Sequence, residues 1–236
     1  MTADFFLLGL SWYVVFLLST TCHEAAHAFA AKRGGDLTAF HGGQVSLDPI
    51  PHVRREPFGM VVFPLLTYVM GGWMMGWASA PYDPLWAQRH PRRAAWMSVA
   101  GPGANLALAI LAAALIHVGI GFKILAHPES ADFTHIVAAA TPGIAEGLAT
   151  LLSVLFSLNV LLGVFNLLPV PPLDGFGAIG LLVGEDAAGR FQELGQQIGR
   201  FSMIGLLLAW RLFGQLFHPI LILSLQLLYP GYGYGA

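Results

Sequence analysis

His23-Glu24-Ala25-Ala26-His27 sets two imidazoles four residues apart, with a carboxylate between them, inside the apolar stretch from Phe5 to Ala31. Residues four apart on a helix share a face, so His23 and His27 can present ring nitrogens to one Zn2+ at about 2.0 to 2.1 Å. Glu24 then lies beside the remaining coordination position, where zinc would bring the pKa of a water down to about 7 and a base is needed to take its proton. A buried carboxylate at membrane depth costs about 2.5 to 3.5 kcal/mol on insertion scales and calls for a partner. A divalent metal is such a partner, and H-E-x-x-H is the pattern of zinc hydrolases.

Two histidines leave zinc one protein ligand short. Asp174 is the carboxylate to consider, because it follows an apolar run in Asn166-Leu167-Leu168-Pro169-Val170-Pro171-Pro172-Leu173-Asp174-Gly175. The three prolines forbid a helix, so extended backbone buried in protein at membrane depth is expected there, with Gly175 letting the chain turn the carboxylate inward. By itself a proline-rich Asp-Gly stretch is usually only a turn; beside a membrane H-E-x-x-H it becomes a candidate ligand.

The elements that must position these groups are membrane helices. The 236 residues are 56% hydrophobic and 10% charged, with a mean hydropathy of +0.67, which marks an integral membrane protein. A net charge of -2 makes nucleic acid an unsuitable partner, and the single Cys22 excludes an intramolecular disulfide framework or a cysteine-based metal site. Met1-Thr2-Ala3-Asp4 has no basic region, so the first apolar stretch is expected to be a retained span and not a signal peptide. Further apolar segments run near Phe58 to Ala80, Ala94 to Phe122, Ile144 to Leu168 and Phe201 to Leu228, each long enough to cross about 30 Å of hydrocarbon.

Basic residues set the orientation. Lys32 and Arg33 follow the first span, Arg54 and Arg55 precede the second segment, and Arg89, Arg92 and Arg93 precede the third; all three clusters favour the cytoplasm. A full crossing by Phe58 to Ala80 would put its two basic flanks on opposite sides, and Pro64, Gly71, Gly72 and Gly76 interrupt it. A re-entrant hairpin on the cytoplasmic side resolves the conflict. The N-terminus then faces out and the histidines sit in the last third of an inward-running helix. Between the first two segments, Phe40 to Leu47 is β-capable, and the Gly-Tyr-Gly-Tyr-Gly-Ala tail reads as a disordered end.

H-E-x-x-H in one membrane helix and N-x-x-P-x-P-P-L-D-G beginning at the end of a later one resemble the site-2 protease family of intramembrane zinc metalloproteases. Ala100-Gly101-Pro102-Gly103-Ala104-Asn105 resembles the A-G-P-x-x-N segment of its middle core helix, and Gly76-Trp77-Ala78 with Pro81 and Pro91-Arg92-Arg93 resembles the connection in compact bacterial members without PDZ or CBS modules. Ser79 and Ala80 stand where Lys and Pro are frequent, and Gly103 where a larger residue is common. The resemblance covers the first span to about Gly180. It implies a three-helix core, one zinc per chain held by His23, His27 and Asp174, Glu24 as general base, and hydrolysis of a peptide bond in a membrane-anchored protein at a bacterial cytoplasmic membrane. It also implies that Asn166 contacts the substrate backbone or the developing oxyanion; the residue-level alternative is a helix C-terminal cap.

The expectation is therefore an all-α polytopic membrane protein: a single membrane-embedded metalloprotease domain over 1-236, with its core over about 5-180, a C-terminal membrane segment over about 200-229, a small β element and the hairpin. An unwound substrate adding to the edge of Phe40 to Leu47 makes Val45 a candidate substrate contact. Asn105 is expected to bond a neighbouring helix, His52 to lie in a surface loop, and Cys22 to point away from the metal and pack as a small buried residue. The competing function is a divalent-cation transporter or metal sensor using the same ligands. A transporter needs polar groups along a path across the whole bilayer, whereas these converge at one level. Nothing in the residues names the substrate or the oligomeric state.

Overall fold

The computed structural model describes residues 3-198, 202-232 and 234. Helix α1, Ala3-Gly34, is a single uninterrupted helix with Lys32 and Arg33 in its last turn. After the short α2 (Thr38-His41) and α3 (Pro49-Arg55), a π-helical turn at Phe58-Val62 runs into α4 (Phe63-Gly71). Then come α5 (Pro84-Arg89), α6 (Pro91-Gly121), β1 (Leu125-Ala126), β2 (Ala138-Ala139), α7 (Ile144-Asn166), α8 (Asp174-Ala178), α9 (Glu185-Ile198) and α10 (Ser202-Leu228). Prolines open α3, α5 and α6, where a missing amide costs no hydrogen bond. Helices α1, α6 and α7 are long and apolar enough to cross a membrane, and α10, bent by 47°, adds a fourth if its two parts form one span. The protein is an all-α polytopic membrane protein.

Contacts that recur along the helices show the packing direction. His23 meets Asn105 and His27 meets Met97, so α1 and α6 are antiparallel. Asn105 meets Asn159, and the Pro102 carbonyl lies against Gly163, so α6 and α7 are antiparallel as well. At one end of this bundle a buried apolar cluster joins Trp12, Ile116, Leu152 and Tyr229, roofed by the antiparallel β1-β2 pair. The basic residues gather at the other end. Trp86 Nε1 and Arg93 Nη1 both donate to the Gly34 carbonyl at 3.0 Å, tying the start of α6 to the end of α1.

The segment after α3 folds back on itself. Its helical part covers only Phe58-Gly71, Gly72 closes it in the left-handed conformation, and the chain then returns without regular structure. Trp77 N donates to Gly59 O at 3.2 Å, so residues eighteen apart in sequence lie side by side. Arg55 Nε donates to Ser79 Oγ at 3.1 Å and Ser79 Oγ to Glu56 Oε1 at 2.6 Å, which pins the two feet of the hairpin together.

Four local expectations need correction. Phe40 to Leu47 holds no strand: Asp36 Oδ1 accepts from Thr38 N and Oγ1 and winds Thr38-His41 into a helical turn, after which Gly43 bends the chain at φ 75°. The small sheet lies at β1-β2 instead, and Val45 sits in an irregular bend where no ladder edge exists for a substrate to join. His52 is buried, its Nε2 against Ser46 O at 3.0 Å, because α3 folds down onto α1. The proline run before Asp174 is a chain of tight turns, Val170 N to Leu168 O and Leu173 N to Val170 O, with Pro169 and Pro172 exposed. In the tail, Tyr234 donates to Pro128 O at 2.7 Å and Tyr232 stacks on His127, so this part is packed; residues 233, 235 and 236 of the expected disordered end lie outside the described residues.

Candidate active site

Three atoms from two distant parts of the chain converge within the bundle. His23 Nε2 lies 2.9 Å from His27 Nε2, and Asp174 Oδ2 lies 3.1 Å from the first and 3.3 Å from the second. Tetrahedral ligands at about 2.0 to 2.1 Å from a zinc stand about 3.3 Å apart, so these separations suit one ion. The histidines are 11 and 7 residues from the Gly34 end of α1, about 16 and 10 Å at 1.5 Å per residue. Among the described residues this is the one group of three His, Cys, Asp or Glu side chains close enough to share a metal.

Hydrogen bonding away from the centre defines what the three atoms offer. His27 Nδ1 lies 2.7 Å from the Met97 carbonyl, which can only accept, so Nδ1 carries a proton and, in the neutral ring, Nε2 a lone pair. His23 Nδ1 lies 2.6 Å from Asn105 Oδ1, with the same outcome. Two lone pairs and a buried carboxylate oxygen with no hydrogen-bond partner therefore face one another. That arrangement is repulsive without a cation, and a divalent ion among the three converts it into coordination. The residues fit zinc.

Backbone close approach makes the convergence possible. At Gly101 of α6 a Cβ would collide with Nε2 of both His23 and His27, so only glycine lets α6 lie across the imidazoles. Pro102 has no amide to bond the Ser98 carbonyl, and in the same turn the Met97 carbonyl takes the bond from His27. At Gly175 a Cβ would collide with the Leu167 and Leu168 carbonyls, so the start of α8, and with it Asp174, can press against the end of α7.

A family model described as Peptidase family M50 matches residues 11-206 of this chain. The chain belongs to peptidase family M50. It is 36% identical over 171 residues to "Putative zinc metalloprotease YwhC" of Bacillus subtilis, covering 72% of this chain and 68% of that protein. Two proteins named "Putative zinc metalloprotease Rip2" are similar as well: that of Mycolicibacterium smegmatis at 33% over 166 residues and that of Mycobacterium tuberculosis at 34% over 165 residues. Each covers 69% of this chain, which spans about half the length of these mycobacterial relatives at 53%. No solved structure gives a significant match. This M50 peptidase is a zinc metalloprotease of the membrane.

Glu24 is buried next to His23, and among the described residues no hydrogen bond or ion pair engages its carboxylate. Asn166 ends α7, and its Nδ2 bonds back to Leu162 O at 3.0 Å. Cys22 is half-buried and takes no part in the cluster. Asn105 does bond neighbouring helices, but one of its partners is His23, so it is tied to the metal centre itself. Sequence reasoning missed Ser19 and Asn159, both fully buried, and Asn159 Nδ2 donates to Ser19 Oγ at 2.8 Å. Single uncharged polar residues inside apolar spans were the signal that could have found them.

Proposed function

We propose that this M50 peptidase hydrolyses a peptide bond in or beside the membrane segment of a membrane-anchored protein, as in regulated intramembrane proteolysis. One zinc per chain is held by His23, His27 and Asp174, on the cytoplasmic side of a bacterial cytoplasmic membrane. The single observation that carries this reading is the convergence of two imidazole Nε2 atoms and a carboxylate oxygen inside a membrane-spanning bundle. The gathering of Lys32, Arg33, Arg89, Arg92 and Arg93 at the nearer end of that bundle supports the orientation.

Zinc bound there supplies Lewis acidity, acidifying water and polarising a carbonyl. Glu24, adjacent to His23 and without a competing partner among the described residues, takes the proton from the attacking water and passes it to the leaving amine. Asp174 and the two imidazoles spend their Nε2 and Oδ2 atoms on the centre, which leaves Glu24 as the base. Asn166, eight residues before Asp174, has its Oδ1 free among the described residues and is proposed to hold the extended substrate backbone. A substrate helix hides its carbonyls in internal hydrogen bonds, so it must unwind locally before attack. No observation favours the cation-transport alternative.

Membranes carrying the wild-type protein and Glu24→Gln are compared by proteomics. Full-length membrane-anchored proteins that accumulate only with Glu24→Gln are the substrates; identical proteomes, with the wild type shown to be expressed, would contradict the reading.

A further inference from the structure

We propose that Asn159 is a positioning residue: acting through Asn105, it fixes which nitrogen of His23 carries the proton and so which one faces the metal. The proposal rests on the zinc reading above.

The polarity can be followed atom by atom. Asn159 Nδ2 lies 2.8 Å from the Leu155 carbonyl, an atom that can only accept, so nitrogen must occupy that side of the amide. Its second hydrogen goes to Ser19 Oγ at 2.8 Å. Asn159 Oδ1 is thereby turned toward Asn105, 2.9 Å away, and an oxygen there demands a donor, so Asn105 must present Nδ2. Asn105 Oδ1 is left facing His23 Nδ1 at 2.6 Å, which demands Nδ1-H and, in the neutral ring, leaves Nε2 bare. One backbone carbonyl on α7 thus dictates the tautomer of a residue on α1. The Ser19 carbonyl gives Asn105 Nδ2 a second hold, but at 3.4 Å it is a weak one.

Burial makes this more than a convenience. Ser19, Asn105 and Asn159 are all fully buried, each on a different membrane-spanning helix, so no solvent is at hand to accommodate a flipped amide. With Asn159 replaced by an apolar side chain, Asn105 loses its principal acceptor and can rotate to offer N-H to His23. His23 would then carry its proton on Nε2 and repel the ion. A merely structural Asn159, joining α7 to α1, would affect packing without regard to what stands at position 105.

The experiment is a double-mutant cycle read as zinc affinity, by competition against a chelator, on purified full-length protein in detergent. The four proteins are the wild type, Asn159→Leu, Asn105→Asp and the double variant. Loss of an outer partner of a metal-bound histidine typically weakens metal binding by about 10- to 100-fold, and Asn159→Leu is expected to do so. An aspartate at 105 accepts through both oxygens, so it presents an acceptor to His23 whatever stands at 159. In that background Asn159→Leu is expected to leave zinc affinity unchanged or to raise it, because it removes an oxygen facing a carboxylate. Equal losses in both backgrounds would overturn the proposal in favour of packing, and no loss in the Asn105 background would overturn it outright. Nitrogen-15 spectra of the zinc-free wild type, recorded where the ring is neutral and needing no variant to fold, should show His23 with its proton on Nδ1; a neutral ring with the proton on Nε2 overturns the proposal. His23→Ala separates the two levels: wild-type zinc affinity in that variant would defeat the zinc reading itself, whatever the cycle shows.

Discussion

Gly101 of α6 stands against His27 of α1 so closely that a single added methyl group would overlap the Nε2 atom of the imidazole, and that of His23 beside it. Neither ring can retreat without leaving its Nδ1 partner, Met97 O or Asn105 Oδ1. Gly101→Ala should therefore weaken zinc binding and lower cleavage by about 100-fold, the scale of a 1 Å misplacement at a reacting centre. Gly103→Ala, two residues on and with nothing within 4 Å of the new carbon, should leave both unchanged. Zinc content and cleavage measured on the two variants check the pair; a harmless Gly101→Ala would mean that α6 does not press on the metal centre.

The hairpin makes a prediction about sidedness. Its feet are joined by Arg55, Glu56 and Ser79, and the chain after it is held to the end of α1 when Asp83 N donates to Asp36 Oδ2 at 2.9 Å. Cysteines placed at Arg55 and at Arg89, in a Cys22→Ser background, should both react with an impermeant reagent from the cytoplasmic side and neither from the other. Labelling of the two from opposite sides would require a full crossing between them.

How much of this was legible in the residues follows from how local each signal is. His23, Glu24 and His27 form a pattern within one helical turn, and Asp174 is marked by the prolines and glycine around it, so all four stood out. Three long apolar helices announced themselves by hydropathy, with boundaries within a few residues. Ser19 and Asn159 did not stand out, because a lone polar residue in an apolar run acquires meaning only when three helices bring it to a partner. The strand expected at Phe40 to Leu47 failed for a related reason: local β propensity lost to the Asp36-Thr38 side-chain turn and to the tether from Gln44 Nε2 to Ser79 O at 2.9 Å, contacts that reach outside the segment.

Asp36 is also a titratable element of the framework at the basic end of the bundle. Burial pushes its pKa up, but hydrogen bonds from the Thr38 hydroxyl and amide and from the Asp83 amide outweigh that and hold it below the usual carboxylate value. A depressed folded-state pKa gives stability that is present above the unfolded value of about 3.9 and is lost as pH falls through the folded one. Asp36→Ala should destabilise the protein by on the order of 2 kcal/mol at neutral pH, and the difference from wild type should shrink in acid. Thermal unfolding in detergent across pH checks this; a difference that stays constant into acid would show that the carboxylate charge is not what stabilises the turn.

On the proposed function His23, His27 and Asp174 hold the metal and Glu24 transfers the proton, and one measurement separates these jobs. Zinc per chain and cleavage of a membrane-anchored model substrate are determined together on Glu24→Gln, with Asp174→Ala as the reference for a lost ligand. Glu24→Gln is predicted to retain about one zinc per chain while cleavage falls by about 100- to 10,000-fold, as expected for loss of a general base. Asp174→Ala is predicted to lose zinc and activity together. Cleavage at the wild-type rate by Glu24→Gln, or loss of zinc from Glu24→Gln to the same extent as from Asp174→Ala, would contradict the account.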